Sequence, residues 1–169
     1  MSGGRGHLVS DEGSGCWMGL QAIRAAVRAH DGRAPHTPLL EGVLTALSIN
    51  DIDDVLGRLY VVGISRAELA ALAPMVVREA MAGDPAALGI VQKGAEDVAE
   101  LVEAVARKLA MDTPEVCIVG GLLNTGPLIL DTYRAAILRS VPPADVKTAE
   151  QPPVMGAAIL ARQLAETTS

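Results

Sequence analysis

The chain contains no phenylalanine, one tryptophan and two tyrosines among 169 residues, so aromatic rings cannot supply the bulk of a core. Half of the residues are nevertheless hydrophobic. Ala, Leu and Val must carry the core, which favours closely packed helices. Cysteine is scarce as well. Cys16 and Cys117 stand far apart and form no CxxC pair, which excludes a disulfide framework and a cysteine-ligated zinc site. Both read as small buried hydrophobes in a reducing compartment. No apolar run approaches the length of a membrane span, and residues 1–20 lack the charged-then-apolar order of a signal peptide. A cytoplasmic protein without a membrane partner is expected. Basic charge is not in excess either. The formal net charge of −6 argues against a nucleic-acid partner and for simple solubility.

Several chemical signatures are missing too. No GxxxxGK[ST] phosphate loop, GxGxxG fingerprint, Ser-His-Asp arrangement or zinc-ligand spacing occurs. Repeats, low-complexity stretches and a second-domain boundary are absent, so residues 1–169 read as one domain.

What is present is organised around Glu115 to Gly126, EVCIVGGLLNTG. Val116 to Val119 form an unbroken apolar run, the pattern of a strand buried on both faces. Gly120-Gly121 follow, and from about Thr125 a helical face of Leu128, Ile129, Thr132, Ala136 and Ile137 begins. Strand, paired glycines and helix start is how α/β folds let backbone approach a ligand at the carboxyl end of a strand. An ordinary tight turn has the same pattern.

The N-terminal segment SGGRGHLVSDEGSG is rich in glycine and has the make-up of a ligand-binding loop rather than a frayed end. Ser14 is placed to cap a helix with Trp17, Leu20, Ile23, Ala26 and Val27 inward. Thr37-Pro38 open a second helix to about Ile49. Asn50-Asp51 begin a short third one, with Ile52, Val55, Leu56 and Leu59 as its apolar side. Ser65 and Glu68 have capping-box spacing ahead of Leu69, Leu72, Val76 and Val77. Asp84 is placed to cap a long helix ending near Leu109. Val146 to Ala149 form a second strand, and Pro152-Pro153 open a last helix through Ala165. The fold class is therefore α/β and helix-rich, with fewer strands than a stable open sheet normally has.

Asp11 and Glu12 suit either a ligand hydroxyl or magnesium-bound water, or merely the positive N-terminus of the helix at Ser14. His7 suits a ligand contact or plain solvation. His30 and His36, at a helix end and a turn, are assigned no role. Trp17 and the methionines at helical spacing read as core, and Glu96, Asp97, Glu100 and Glu103 as a solvated helix face.

Taken together, GGRGHLVSDEGSGCWMGLQAI, MAGDPAALGIVQKGAEDVAELV, VCIVGGLLNTG and QPPVMGAAILARQLA resemble the N-acetylglucosamine kinase group, which includes the BadF/BcrA-type ATPases. These share the fold of the sugar kinase, heat-shock and actin ATPases. The resemblance covers essentially the whole chain. It implies the C-terminal, ribonuclease-H-like lobe of that fold, without its first strands. It also implies ATP with Mg2+ as cofactors and an amino sugar as substrate.

By the same resemblance, Gly4, Arg5, Gly6, His7, Leu8 and Asp11 match the sugar loop. Gly120 and Gly121, with Asn124 or Thr125, match the adenosine contacts, and Ala82 and Gly83 match a helix break lining the nucleotide cleft. Two residues depart from the family pattern. Arg5 stands where the family often has Trp, which puts the identity of the sugar in doubt. Ser10 stands where it often has Gly, which is expected to strain the turn before Asp11. The family's phosphate loops and catalytic aspartate match nothing from Met1 onward, and phosphoryl transfer depends on such groups. The expectation is a kinase or ATPase lobe that is inactive alone and pairs with a missing N-terminal lobe. The alternative is a non-catalytic module, a homodimer or partner-binding domain, that keeps the scaffold.

Overall fold

In the computed structural model, which describes residues 2–7 and 9–167, several helix starts fall where capping side chains stand. Ser14 accepts from the Trp17 amide and opens α1 (Gly15–His30). Thr37 accepts from the Leu39 amide at 3.2 Å ahead of α2 (Leu39–Leu47), with Pro38 already in helical conformation. Ser65 and Glu68 form a reciprocal capping box on α3 (Arg66–Ala70). Asp84 accepts from the Ala87 amide and opens α5 (Pro85–Lys108). Each such bond satisfies a donor that a helix start would otherwise leave unpaired.

Two segments depart from the regular helices expected. Residues 52–54 form a 3-10 turn capped by Asp51, and Gly57–Val62 form a π-helical turn. Leu56 is 66% exposed rather than inward, and Arg58 two residues on folds back onto the Gly63 carbonyl and the Glu68 carboxylate. The expected single helix after Ser65 is split into α3 and α4 (Ala73–Met81), since Pro74 cannot donate to the Ala70 carbonyl.

The strand β1 (Glu115–Ile118) leads through a 3-10 turn (Gly121–Thr125) into α6 (Pro127–Ser140), and then β2 (Asp145–Thr148). The strands pair in parallel, Glu115 opposite Asp145 and Ile118 opposite Thr148. A helix is the usual crossover that parallel pairing requires. The chain ends in α7 (Pro153–Thr167), on which Val154, Ile159 and Leu160 are exposed. No helix among the described residues is long and apolar enough to cross a membrane.

The expectation that β1 is buried on both faces is corrected. Val116 and Ile118 are half-buried, whereas Glu115 and Cys117 are exposed, because helices cover only one face of this two-stranded sheet. Cys117 is thus not a buried hydrophobe, although Cys16 is.

The core lies where α1, α2, α4, α5 and α6 meet, with Met18, Leu39, Leu72, Ile129 and Ile137 fully enclosed. The inward face of α1 is rotated from the one expected. Met18, Gly19, Ala22, Ile23 and Ala26 are buried, while Leu20 is only half-buried. Gly19 explains the rotation, since a Cβ there would lie 1.9 Å from the Leu69 carbonyl oxygen of α3. Only a residue without a side chain lets the two backbones approach so closely. Among the methionines, Met18 and Met75 are core, but Met81, Met111 and Met155 are exposed.

Candidate functional site

A cleft of about 620 Å³ opens at the carboxyl end of β1. One wall is the strand with Gly120 and Gly121, together with Leu122, Leu123 and Thr125 of the turn that follows. Opposite stands the entry to α1, Glu12 to Gly15. The floor is apolar, from Val98 and Val102 of α5 and Ile129, Tyr133 and Ile137 of α6. Strand end, glycine turn and helix-lined floor form the crevice in which open α/β folds place ligands.

Gly120 has φ 137°, a conformation that a side chain would strain, and a Cβ at either Gly120 or Gly121 would meet no atom within 4 Å. The glycines are therefore not required by packing, and they leave the backbone open to the cleft. The Thr125 hydroxyl donates to the Leu122 carbonyl at 2.6 Å and ties the turn, while Asn124 is exposed outside the cleft lining. Ala82 and Gly83 end α4 in the open, Gly83 with φ 92°. Their neighbour Met81 reaches the turn, its sulfur 3.7 Å from where a Gly126 Cβ would stand. The α4 terminus and the glycine turn thus share one rim, although Ala82 and Gly83 do not line the cleft.

The N-terminal loop closes on itself. The Arg5 amide donates to the Ser10 carbonyl at 3.2 Å, and the Ser10 amide to the Gly6 carbonyl at 2.9 Å. Gly4, Arg5 and Gly6 are exposed on it, His7 is half-buried, and Leu8 lies outside the described residues. None of Gly4 to His7 lines the cleft. Ser10 does not strain the turn, because its φ is not positive; its hydroxyl donates to Glu12 at 3.3 Å. Asp11 turns to the helix, its Oδ2 accepting from the Ser14 hydroxyl at 2.7 Å. Its neighbour Glu12 is the carboxylate that lines the cleft among the described residues. One carboxylate does not by itself make an octahedral magnesium site, whose other ligands must be phosphate oxygens and water.

Tyr133 is the residue that the sequence pattern did not single out. It is buried, and its hydroxyl donates to the Gly13 carbonyl at 2.7 Å across 120 residues of chain. The spacing of Ile129, Tyr133 and Ile137 on α6 is the signal that would have found it. Gly13 has φ 75°, and a Cβ there would stand 2.6 Å from Val98 and 2.8 Å from the Gly94 carbonyl oxygen. Burial, with the Asp97 carboxylate adding to it, pushes the Tyr133 hydroxyl well above its ordinary pKa, so it remains a donor at neutral pH. Burial, then Asp11, likewise raise the Cys16 thiol against the opposing pull of Arg66. Cys16 is accordingly an inert thiol rather than a nucleophile.

The helix-rich α/β chain, with its parallel strand ending in open glycines above a helix-lined cleft, matches a solved structure of the actin-like ATPase fold. The crystal structure of a candidate N-acetylglucosamine kinase from Chromobacterium violaceum superimposes with a TM-score of 0.73 and 27% identity, over 94% of this chain and 50% of that one. The chain belongs to the BadF/BadG/BcrA/BcrD ATPase family, whose model matches residues 2–161. It is 30% identical over 163 residues to the N-acetylmuramic acid/N-acetylglucosamine kinase of Clostridium acetobutylicum, a match covering 95% of this chain and 53% of the relative. Against the N-acetyl-D-glucosamine kinase of Dictyostelium discoideum it is 29% identical over 164 residues, 95% of this chain and 51% of the relative. The chain therefore spans about half the length of the curated relatives it matches.

Proposed function

We propose that this chain is the nucleotide-side half of an ATP-dependent amino-sugar kinase, working with a segment that carries the phosphate loops and the catalytic base. The supporting observation is that one cleft has the open Gly120-Gly121 turn on one wall and the Glu12–Gly15 continuation of the sugar-loop segment on the other. In this reading Gly120, Gly121 and Thr125 border the adenosine, with Asn124, Ala82 and Gly83 along the outer rim. Gly4 to His7, with Leu8 and Asp11, border the sugar. ATP bound with Mg2+ supplies the phosphoryl group, which passes to a hexosamine hydroxyl. This chain's part is to position the nucleotide and sugar, which together with charge stabilisation supplies the rate in such transfers. Leu122, Leu123 and Ile129 would keep the adenosine side dry.

ATP titration by calorimetry, comparing wild type with Gly121→Val, tests the reading. The new side chain points into open space, so the fold should be unaffected while the cleft narrows. ATP affinity should fall about tenfold or more, as for a lost contact of ~1.4 kcal/mol, with the melting temperature unchanged. Equal affinity in both proteins, or no ATP binding by wild type, alone or mixed with the N-terminal half of a relative, would sink the proposal.

A second reading, a non-catalytic interaction module, has its own observation. The exposed apolar residues of α7 and the exposed Val119 beside β1 would suit a partner or a second copy. Light scattering after size-exclusion chromatography that shows a stable dimer indifferent to ATP would favour it over the kinase half.

A further inference from the structure

On the opposite side of α1 from the buried face, a second cavity of about 500 Å³ lies between α1, the α1–α2 connection and the first turns of α5. Its walls combine the indole of Trp17 and the side chains of Pro85 and Ile90 with a concentration of positive charge, in a chain whose net charge is −6. Arg24 and Arg28 are four residues apart on α1, so their side chains project from the same face into one space. Among the described residues neither is paired with a carboxylate. Arg28 makes one long bond to the Arg33 carbonyl, at 3.4 Å, and Arg24 has no partner among the described residues. Lys93 adds a third cation, shared with Asp97 at 2.6 Å, and His36 stands against Glu41 at 3.2 Å. The cavity's own carboxylate, Asp84, is already engaged, its Oδ2 accepting from Thr37 and from the Ala87 amide. Like charges at this spacing cost helix stability. The C-terminal helix dipole accounts for Arg28, in the last turn of α1, but not for Arg24 or Lys93.

We infer that this cavity is a binding site, separate from the β1 cleft, for a small phosphate-bearing molecule with a flat apolar group. The phosphate meets the guanidinium forks of Arg24 and Arg28, the geometry in which arginine binds phosphate bidentately. The flat group lies against Trp17 and Ile90. The inference does not depend on the kinase reading, because it rests on a different cavity and different residues.

Trp17 is the only tryptophan of the chain, so its fluorescence reports this cavity directly. Phenyl phosphate is titrated into the wild-type chain and into Arg24→Glu/Arg28→Glu, with circular dichroism to confirm that the variant is folded. Arg24→Gln serves as a milder variant, since this exposed side chain has no partner to lose among the described residues. The expected result is a saturable change in emission for wild type. The charge-reversed variant should bind at least about tenfold more weakly, the factor set by loss of one charge-assisted hydrogen bond. Phenol, which lacks the phosphate, should bind far more weakly than phenyl phosphate. The inference is overturned if the emission change is linear and unsaturated, if phenol matches phenyl phosphate, or if both arginine variants bind as wild type does.

Discussion

Tyr133→Phe removes one oxygen and nothing else, and the structure sets what that oxygen holds. Its 2.7 Å bond ends on the carbonyl of buried Gly13, two residues after Asp11 and at the mouth of the cleft. The ring stays in place, so no sizeable cavity opens. The cost is that of leaving a buried acceptor unpaired, ~1–3 kcal/mol. In a chain of this size each kcal/mol moves the melting temperature by roughly 2–4 °C, so a drop of roughly 2–12 °C is expected in a calorimetric melt. Hydrogen exchange should locate the effect, with faster exchange of the Gly13, Ser14 and Gly15 amides and little change within α2. Alkaline pH supplies a signed control. The folded-state pKa of Tyr133 is raised, so the folded protein retains a proton that the unfolded chain releases above the ordinary tyrosine value of ~10. The stability carried by this group is fully present below ~10 and is lost as pH rises above it. The advantage of wild type over Tyr133→Phe should therefore shrink in that range. A melting temperature within ~1 °C of wild type, combined with unchanged exchange at residues 13–15, would refute the view that this bond anchors the loop.

Acid should act on α3 through Glu68. Bonds from the Ser65 side chain and amide, then from Arg58, hold its carboxyl down to about 2, so its contribution is present above the ordinary carboxylate range and is lost as pH falls toward 2. Melts between pH 2 and 6 should show the gap between wild type and Glu68→Gln closing in acid, and a gap independent of pH would contradict this. Separately, Ser65→Ala should cost ~1 kcal/mol at neutral pH by urea denaturation. Two glycines that look alike should behave differently when changed to alanine. At Gly19 the new Cβ meets the Leu69 carbonyl oxygen at 1.9 Å, backbone against backbone, so Gly19→Ala should cost ~3 kcal/mol or more or prevent folding. At Gly42 it meets the Met75 sulfur at 1.9 Å, which a flexible thioether can vacate, and alanine's better helix propensity offsets part of the strain. Gly42→Ala should stay within ~1 kcal/mol of wild type in the same urea titration.

The sequence by itself determined those features that depend on atoms a few residues apart. Ser14, Asp84 and the Ser65–Glu68 pair cap helices because the bonds they make span only three positions. The order strand, glycine pair, helix, strand was legible for the same reason, and so was the family through the motifs along the chain. Tertiary structure alone decided which side of each element is covered. Leu20 is as apolar as Ile23, yet α1 turns Met18 and Ala22 inward, because Gly19 is where the α3 backbone can approach. Cys117 sits in an apolar run but is exposed, because the layer that buries a strand is contributed by other segments and only one face of β1 has it. The Tyr133–Gly13 bond and the arginine-lined cavity join residues far apart in sequence, and no local pattern encodes a contact whose partner is set by the packing of α1, α5 and α6.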